Sequence, residues 1–124
     1  YAVEVLRIKH IVVCGHYGCG GVEAALKSND LGLIDNWLTH IKDVSRFHQK
    51  ELATLNDKDK VTRLCELNVI EQVKNVCNTS IVKQAWANKQ ELLVHGWIYD
   101  ISNGILKDLQ TDVGSLSDLD GESN

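Results

Sequence analysis

A short run of β-branched residues that ends abruptly in a glycine-rich turn constrains the fold of this chain most strongly. Residues 11–14 (Ile-Val-Val-Cys) have the pattern of a strand that is buried on both faces of a parallel sheet. Good helix formers resume at residues 22–26, after a turn that contains Gly15, Gly18, Gly20 and Gly21. The turn is therefore predicted to lie where open α/β sheets bind ligands, at the carboxyl end of a strand and the amino end of a helix.

His16 and Cys19 lie within this turn and have a spacing that a tight loop can close around one metal ion. Zinc binds imidazole nitrogen and thiolate sulfur in tetrahedral geometry, so the pair is a candidate zinc site. The alternative is that His16 caps the turn and Cys19 is a small buried apolar residue. Residues 14 and 16 of an ideal strand point to the same face, so Cys14 is a further candidate ligand; its alternative role is a buried thiol.

The same turn invites comparison with nucleotide-binding loops, but its glycine order differs. It reads G-x-x-G-x-G-G, without the G-x-G-x-x-G order or the Lys-Ser/Thr pair of a phosphate-binding loop.

The chain has 124 residues, which is enough for one domain. It carries 13 basic and 17 acidic side chains, so its net charge is −4. We therefore expect no nucleic-acid partner.

Membrane and disulfide classes are also disfavoured by the sequence. No apolar run approaches the length of a membrane-spanning helix, so we expect no membrane partner. The four cysteines, at positions 14, 19, 65 and 77, lack the dense spacing of a disulfide scaffold. A reducing compartment fits this usage, and we expect a cytoplasmic protein.

The run Cys14-Gly-His16-Tyr-Gly-Cys19-Gly-Gly resembles the second zinc-ligand motif of the β-class carbonic anhydrases. Residues 31–38, 66–73 and 95–100 agree with later motifs of that family in order and spacing. The resemblance covers residues 1–109, and it implies an α/β fold in which a partial parallel sheet is flanked by helices. It identifies the chain as similar to the carboxyl-terminal portion of the family.

The resemblance implies a zinc lyase that reversibly hydrates carbon dioxide to bicarbonate. His16 and Cys19 match two of the three zinc ligands of the family, whereas the third is the cysteine of a Cys-x-Asp-x-Arg motif that this sequence lacks. The chain would thus hold half of the zinc site. A cysteine can occupy the position of Cys14 in the family without binding zinc, which favours the buried-thiol interpretation.

The resemblance also implies roles for three other positions. Gly20 and Tyr1 match positions near the substrate pocket, although either residue could equally be structural. Tyr99 matches a tyrosine that forms a regulatory bicarbonate site together with a Trp and an Arg, and without those partners it would only pack. Family members are dimers or higher oligomers, so we expect a homo-oligomer, a dimer or a tetramer, and the apolar helix around Trp37 is consistent with an interface.

The remaining sequence predicts further elements in one domain. The chain has no methionine and starts at Tyr1, and residues 1–7 read as the end of a helix, so we expect a piece of a longer protein. Residues 1–109 are predicted to form the domain, and 110–124 an acidic, frayed tail. One helix is predicted over 21–27, with a polar end at 28–30, and a second begins at 35. A third is predicted over 61–76, with a cap at Asp57 or Asp59. A fourth begins at a cap, Thr79 or Ser80, and ends at Trp86. Strands are predicted over 91–99 and 105–109, joined by an Asn-Gly turn.

A second interpretation is a catalytically inactive fragment that serves only as a folding or interface piece. In the resembled fold, the strand of the absent segment lies beside residues 11–14. Its loss would leave unpaired backbone groups on an apolar strand. We therefore expect the chain alone to be unstable or to complete its sheet with another polypeptide.

Overall fold

The computed structural model describes residues 1–27 and 31–122, which form a small sheet packed against helices. The elements follow one another along the chain as β1 (His10–His16), α1 (Gly20–Leu26), α2 (Ile34–Phe47), α3 (Gln49–Leu52), α4 (Asp57–Cys77), α5 (Ser80–Ala87), β2 (Leu93–Asp100), β3 (Ile105–Asp108) and α6 (Leu116–Glu122). The polar helix end predicted at 28–30 lies outside the described residues.

The sheet has the strand order β1-β2-β3 and confirms the predicted α/β class. β1 and β2 are parallel, with Val13 opposite Gly96 and His16 opposite Tyr99. β2 and β3 are antiparallel and joined by the predicted turn, in which Gly104 adopts a φ of +71°. The sheet is therefore mixed, and the parallel pair brings the loop after β1 next to the end of β2.

Helix α4 lies against one face of β1 and β2 at a distance that only glycine allows. A Cβ atom at Gly15 would lie 2.5 Å from Cγ2 of Val69, and one at Gly96 would lie 2.5 Å from Oγ1 of Thr111, with Cγ2 of Val73 on α4 also near it at 3.0 Å. Real Cβ atoms do not approach other atoms so closely, so both positions exclude a side chain. The two glycines therefore let the longest described helix pack directly on the sheet backbone.

The opposite face of β1 is open, which corrects two predictions. Exposure alternates along β1, with His10, Val12, Cys14 and His16 exposed. Residues 11–14 are thus buried on one face only, and Cys14 is an exposed thiol rather than a buried one. The reason is that α4 covers the face of Ile11 and Val13, and β1 pairs with β2 alone among the described strands.

Two apolar clusters form the core, one at each end of the strands. The first surrounds the start of β2 and includes Val73, Cys77 and Val94. The second surrounds its end and includes Leu64, Cys65 and Ile98, with Tyr17 and Cys19 packed against it. Because the second cluster lies beneath the loop after β1, it connects that loop to α4.

Side chains cap the first turns of α4 and α5. Asn56 accepts a 2.8 Å hydrogen bond from the backbone N–H of Asp59, so the cap of α4 is Asn56 and not Asp57 or Asp59. Thr79 caps α5 as predicted, by accepting from the backbone N–H of Val82. Within residues 1–27 and 31–122, no helix combines the length and apolarity needed to cross a bilayer.

The segment before β1 is not the helix end that its apolar residues predict. It forms consecutive turns, in which the carbonyl of Tyr1 accepts from Val5 and Leu6 at 2.9 and 3.1 Å. Arg7 adopts a φ of +51°, which is incompatible with a continuing right-handed helix. Val3 still packs into the first cluster, and its carbonyl accepts a 2.9 Å hydrogen bond from Nε2 of Gln90, so the segment is anchored at this residue.

The segment after residue 109 is packed as far as it is described, which differs from the predicted frayed tail. Val113 is fully buried and exchanges two 2.9 Å backbone hydrogen bonds with Val94. Asp112 accepts a 2.7 Å bond from Nδ1 of His95, and Leu119 of α6 packs into the first cluster. A few apolar residues therefore hold an otherwise acidic segment; residues 123–124 lie outside the described part.

Candidate functional site

The candidate site is the loop that joins β1 to α1. β1 ends at His16 and α1 begins at Gly20, so three residues make the connection. Gly18 adopts a φ of +66°, a conformation that side-chain-bearing residues rarely take. The carbonyl of Cys19 then accepts the first helical bond, from Glu23 at 3.0 Å. The loop thus places His16 and Cys19 on either side of a turn that requires glycine.

His16 is exposed and its ring is held by the loop itself. Its Nδ1 lies 2.9 Å from the carbonyl oxygen of Tyr17. A carbonyl oxygen can only accept, so Nδ1 carries the hydrogen and donates it. In the neutral ring, Nε2 is therefore left with a free lone pair, which is the arrangement typical of a histidine that binds a metal.

Cys19 carries a free thiol and lies half-buried at the start of α1. Its side chain packs against the second apolar cluster, whereas His16 lies on the open face of the sheet. The part of the chain that the structure describes contains no group of three or more His, Cys, Asp or Glu side chains placed to hold a metal ion. The joint binding of one metal by His16 and Cys19 remains a prediction.

Tyr17 connects the loop to α4, a contact that the sequence analysis missed. Its hydroxyl donates a short hydrogen bond to Oε2 of Glu66, and its backbone N–H donates to the carbonyl of Tyr99 at 3.0 Å. Glu66 also accepts from Nη1 of Arg63 and Nζ of Lys107, each at 3.2 Å. The only sequence signal for this role is a carboxylate within the apolar stretch of α4, between Cys65 and Leu67.

The charges around Glu66 favour the ionised carboxylate and a neutral tyrosine. Burial pushes the pKa of Glu66 upward, but the hydrogen bonds from Tyr17, Lys107 and Arg63 outweigh it and hold the pKa below its usual value. Burial raises the pKa of the Tyr17 hydroxyl, and the charge of Glu66 raises it further. Tyr17 therefore remains a hydrogen-bond donor to Glu66 across the neutral pH range.

Cys65 supports the same loop from beneath. Burial raises the pKa of its thiol, and the backbone N–H groups of Cys19 and Gly18, which face the sulfur, oppose part of that rise. The Cys65 side chain is buried within α4. The loop thus rests on two neighbouring residues of α4, Cys65 and Glu66.

The other predicted site residues lie at different distances from the loop. Gly20 is the first residue of α1, and Tyr99 is the strand partner of His16, with 37% of its surface exposed. Tyr1 is exposed, and its segment packs through Val3 at the other end of the strands. Cys14 shares the open face with His16. The fold therefore brings Gly20 and Tyr99 to the loop, and the role of Tyr1 stays a prediction.

Comparisons with known proteins identify the chain's relatives. The family model for carbonic anhydrase matches residues 1–106. The carbonic anhydrase of Emericella nidulans is 49% identical over 121 residues, which are 96% of this chain and 53% of that protein. The carbonic anhydrase of Candida albicans is 34% identical, over 96% of this chain and 43% of that protein.

Solved structures agree with the sequence matches. The β-carbonic anhydrase of Coccomyxa, in complex with acetazolamide, superposes with a TM-score of 0.92 and 37% identity over 98% of this chain and 55% of that one. A tetrameric β-carbonic anhydrase of Sordaria macrospora gives a TM-score of 0.83 and 38% identity over 92% of this chain and 58% of that one.

The chain spans about half the length of the curated relatives it matches, 53% and 43% in these two cases. The family match nevertheless covers most of the chain and includes the loop after β1. On this combined evidence of sequence and fold, the chain belongs to the β-carbonic anhydrase family.

Proposed function

We propose that this chain contributes His16 and Cys19 to a zinc site that serves the reversible hydration of carbon dioxide to bicarbonate. The observation that carries the proposal is the hydrogen bond from Nδ1 of His16 to the carbonyl of Tyr17, which leaves Nε2 free for a metal. The free thiol of Cys19 follows three residues later, on the same loop. Membership of the carbonic anhydrase family supports this assignment.

The donor set fits zinc in type but not in number. Imidazole nitrogen and thiolate sulfur are the ligands that zinc prefers, and a catalytic site uses three protein ligands and keeps one position open. Because the described residues offer no larger cluster around this pair, we propose that a further ligand comes from outside it. The resemblance assigns that ligand to a cysteine of a Cys-x-Asp-x-Arg motif, which the sequence lacks.

Zinc, when bound, supplies the Lewis acidity that activates water for addition to carbon dioxide. The residues of this chain would then hold and orient the metal and shape the pocket beside it. We propose that Gly20 borders the substrate because it follows Cys19 directly, and we retain Tyr1 as a predicted pocket residue. Tyr99 lies beside His16 in the sheet, and its regulatory role in bicarbonate binding remains part of the proposal.

The proposal extends to assembly and location. We propose a homo-oligomer, a dimer or a tetramer, in which exposed apolar residues of α2 such as Trp37, 80% exposed, contribute to an interface. The four cysteines lack the spacing of a disulfide scaffold, which fits a reducing compartment, and we propose the cytoplasm.

The second candidate function is that of an inactive piece that takes part only in folding or assembly. The observation that favours it is that the described residues place no third donor with His16 and Cys19, since two donors do not make a catalytic zinc site. The edge of β1 that faces away from β2 has no partner among the described strands, and it adds a surface through which such a piece would join another polypeptide.

Zinc content and carbon dioxide hydration, measured on the same preparations, test the proposal. We expect the chain to bind zinc through this pair in zinc-containing buffer, and the variants His16→Ala and Cys19→Ser to lose that binding. Cys14→Ser is the matched control, because Cys14 is an exposed thiol on the same strand, and it should retain zinc. Zinc retention with hydration would support the proposed enzyme, whereas a zinc-free and inactive chain would support the second candidate.

A further inference from the structure

We infer that Glu66 is a positioning residue for His16 and acts on it through Tyr17. The inference rests on the proposed function, which assigns His16 to a metal. The hydrogen bonds that hold the His16 ring do not themselves depend on a metal. It assigns a role in the site to a helix residue that lies 49 positions from Tyr17 in the sequence.

The first step is the link between His16 and the backbone of Tyr17. The 2.9 Å hydrogen bond from Nδ1 of His16 fixes both the tautomer and the direction of the ring. That bond persists only while the carbonyl of Tyr17 keeps its orientation. The next residue, Gly18, has a φ of +66° and no side chain, so it adds little restraint of its own. The peptide group needs an anchor elsewhere.

The second step is the anchor that Tyr17 provides. Its N–H donates to the carbonyl of Tyr99 at 3.0 Å, and its hydroxyl donates to Glu66. The two bonds hold the residue at its backbone and at the far end of its side chain. With both ends fixed, the carbonyl that accepts from His16 cannot rotate freely.

The third step is the rigidity of Glu66 itself. Only 12% of its side chain is exposed, and Arg63 and Lys107 each donate to it at 3.2 Å. Arg63 is held in turn by Glu51, at 2.6 Å. Charge-assisted hydrogen bonds are stronger than neutral ones, so the two cations hold the carboxylate in place as an acceptor for Tyr17. Its donors come from α4 and β3, which ties the loop to two separate elements.

The tautomer of His16 provides the direct test, read from long-range proton–nitrogen NMR spectra of the ring in the full 124-residue chain. The spectra are recorded at alkaline pH, because only a neutral imidazole ring distinguishes the two tautomers. We expect a dominant Nδ1–H tautomer in the wild type and a shift towards Nε2–H in Tyr17→Phe and Glu66→Ala. Glu66→Gln keeps an acceptor oxygen for the tyrosine and should restore the wild-type pattern.

Glu71→Ala is the matched control for a merely structural role. Glu71 lies on the same helix and is also largely buried, with 19% of its side chain exposed, but it pairs with His48 and Lys74 instead of the loop. We expect this variant to leave the His16 tautomer unchanged. An unchanged tautomer in Tyr17→Phe, or an equal shift in Glu71→Ala, would overturn the inference. Tyr17→Phe removes one oxygen atom only, so the test does not depend on Glu66→Ala being folded.

Zinc affinity separates this inference from the proposed function. Competition with a chromophoric chelator should show zinc binding weakened by roughly 10-fold or more in Tyr17→Phe and Glu66→Ala, the usual effect of removing a partner that orients a ligand. If the wild type binds no zinc, the proposed function fails while the NMR result still decides the positioning role. If the wild type binds zinc and both variants bind it equally well, the positioning role is wrong and the proposed function stands.

Discussion

Gly15 and Gly96 determine how closely α4 approaches the sheet. Each lies where a Cβ atom would overlap a side chain, and at Gly96 the clash would be with Oγ1 of Thr111 at 2.5 Å as well as with Val73 at 3.0 Å. Thr111 and Val73 belong to different segments, so no single movement relieves both contacts. The glycine at 96 is therefore required by packing rather than by backbone conformation.

Gly96→Ala should destabilise the fold by about 1–3 kcal/mol, because overpacking a filled core forces neighbouring atoms apart. Chemical denaturation monitored by circular dichroism measures the free energy of unfolding. Gly20→Ala is the control, since a Cβ atom there meets nothing within 4 Å, and it should leave the stability nearly unchanged. Equal stability of the two variants would contradict the packing account of Gly96.

Glu66 should also make the stability of the fold depend on acid pH. Its folded-state pKa lies below the ordinary value of 4.5, so ionised Glu66 stabilises the fold at neutral pH. That contribution is fully present above the ordinary value and is lost as the pH falls from there through the folded-state pKa. Urea denaturation at a series of pH values should show a shallower acid decline for Glu66→Gln than for the wild type. Parallel curves would show that Glu66 has no such linkage.

The start of α4 depends on one amide side chain. Oδ1 of Asn56 accepts from the backbone N–H of Asp59 at 2.8 Å and satisfies one of the helix's free donors. The sequence offers Asn56, Asp57 and Asp59 in close succession, and all three are good capping residues. Which of the three caps the helix depends on where the preceding chain turns into the helix. The local sequence does not specify that position.

Asn56→Ala should cost about 1 kcal/mol of stability through loss of this cap. Asn75→Ala is the matched control, because Asn75 is an exposed residue within the same helix and alanine is the better helix former. Thermal unfolding of both variants measures the difference. A loss for Asn75→Ala as large as that for Asn56→Ala would mean that the cap makes no special contribution.

The elements with strong patterns were predicted well, and those held by a few contacts were not. The spacing of apolar residues predicted α4 and its buried face, and the break before Thr79 predicted α5. Residues 1–7 have the apolar pattern of a helix end, but the positive φ of Arg7 is incompatible with a continuing helix. The last segment has too few apolar residues for a pattern, yet Val113 is fully buried because β2 offers it a partner.

For the molecule as a whole, the open edge and face of β1 are the main consequence of its topology. Among the described strands, β1 has β2 as its single neighbour, and Val12 is 41% exposed on the face opposite α4. Unpaired backbone groups on an apolar edge strand favour pairing with another chain. The prediction that residues 11–14 are buried on both faces was wrong, because α4 covers one face of β1 and the described elements leave the side chains of the other face exposed.

The chain should therefore self-associate in solution. Sedimentation velocity should show species larger than a 13.8 kDa monomer, and Val12→Lys should reduce them, since a charge on an edge strand opposes pairing. Glu4→Lys, a change at an exposed residue outside the strands, is the control for added charge and should associate like the wild type. A monodisperse monomer that melts cooperatively would contradict this account of the edge.

The site was predictable only where its residues are adjacent in the sequence. His16 and Cys19 lie on one loop, so their spacing was enough to identify them as candidates. Tyr17 and Glu66 meet through packing of the loop on α4, and no sequence periodicity links them. The exposure of Cys14 likewise depends on which strands flank β1, a property of the whole sheet.

X-ray absorption at the zinc edge of the zinc-loaded chain tests the central claim most directly. If His16 and Cys19 hold the metal, the spectrum should contain sulfur at about 2.3 Å and nitrogen at about 2.0–2.1 Å. The sulfur signal should fall in Cys19→Ser and persist in Cys14→Ser. A sulfur signal that is unchanged in Cys19→Ser, or one that disappears in Cys14→Ser, would contradict the assignment of the site to this loop.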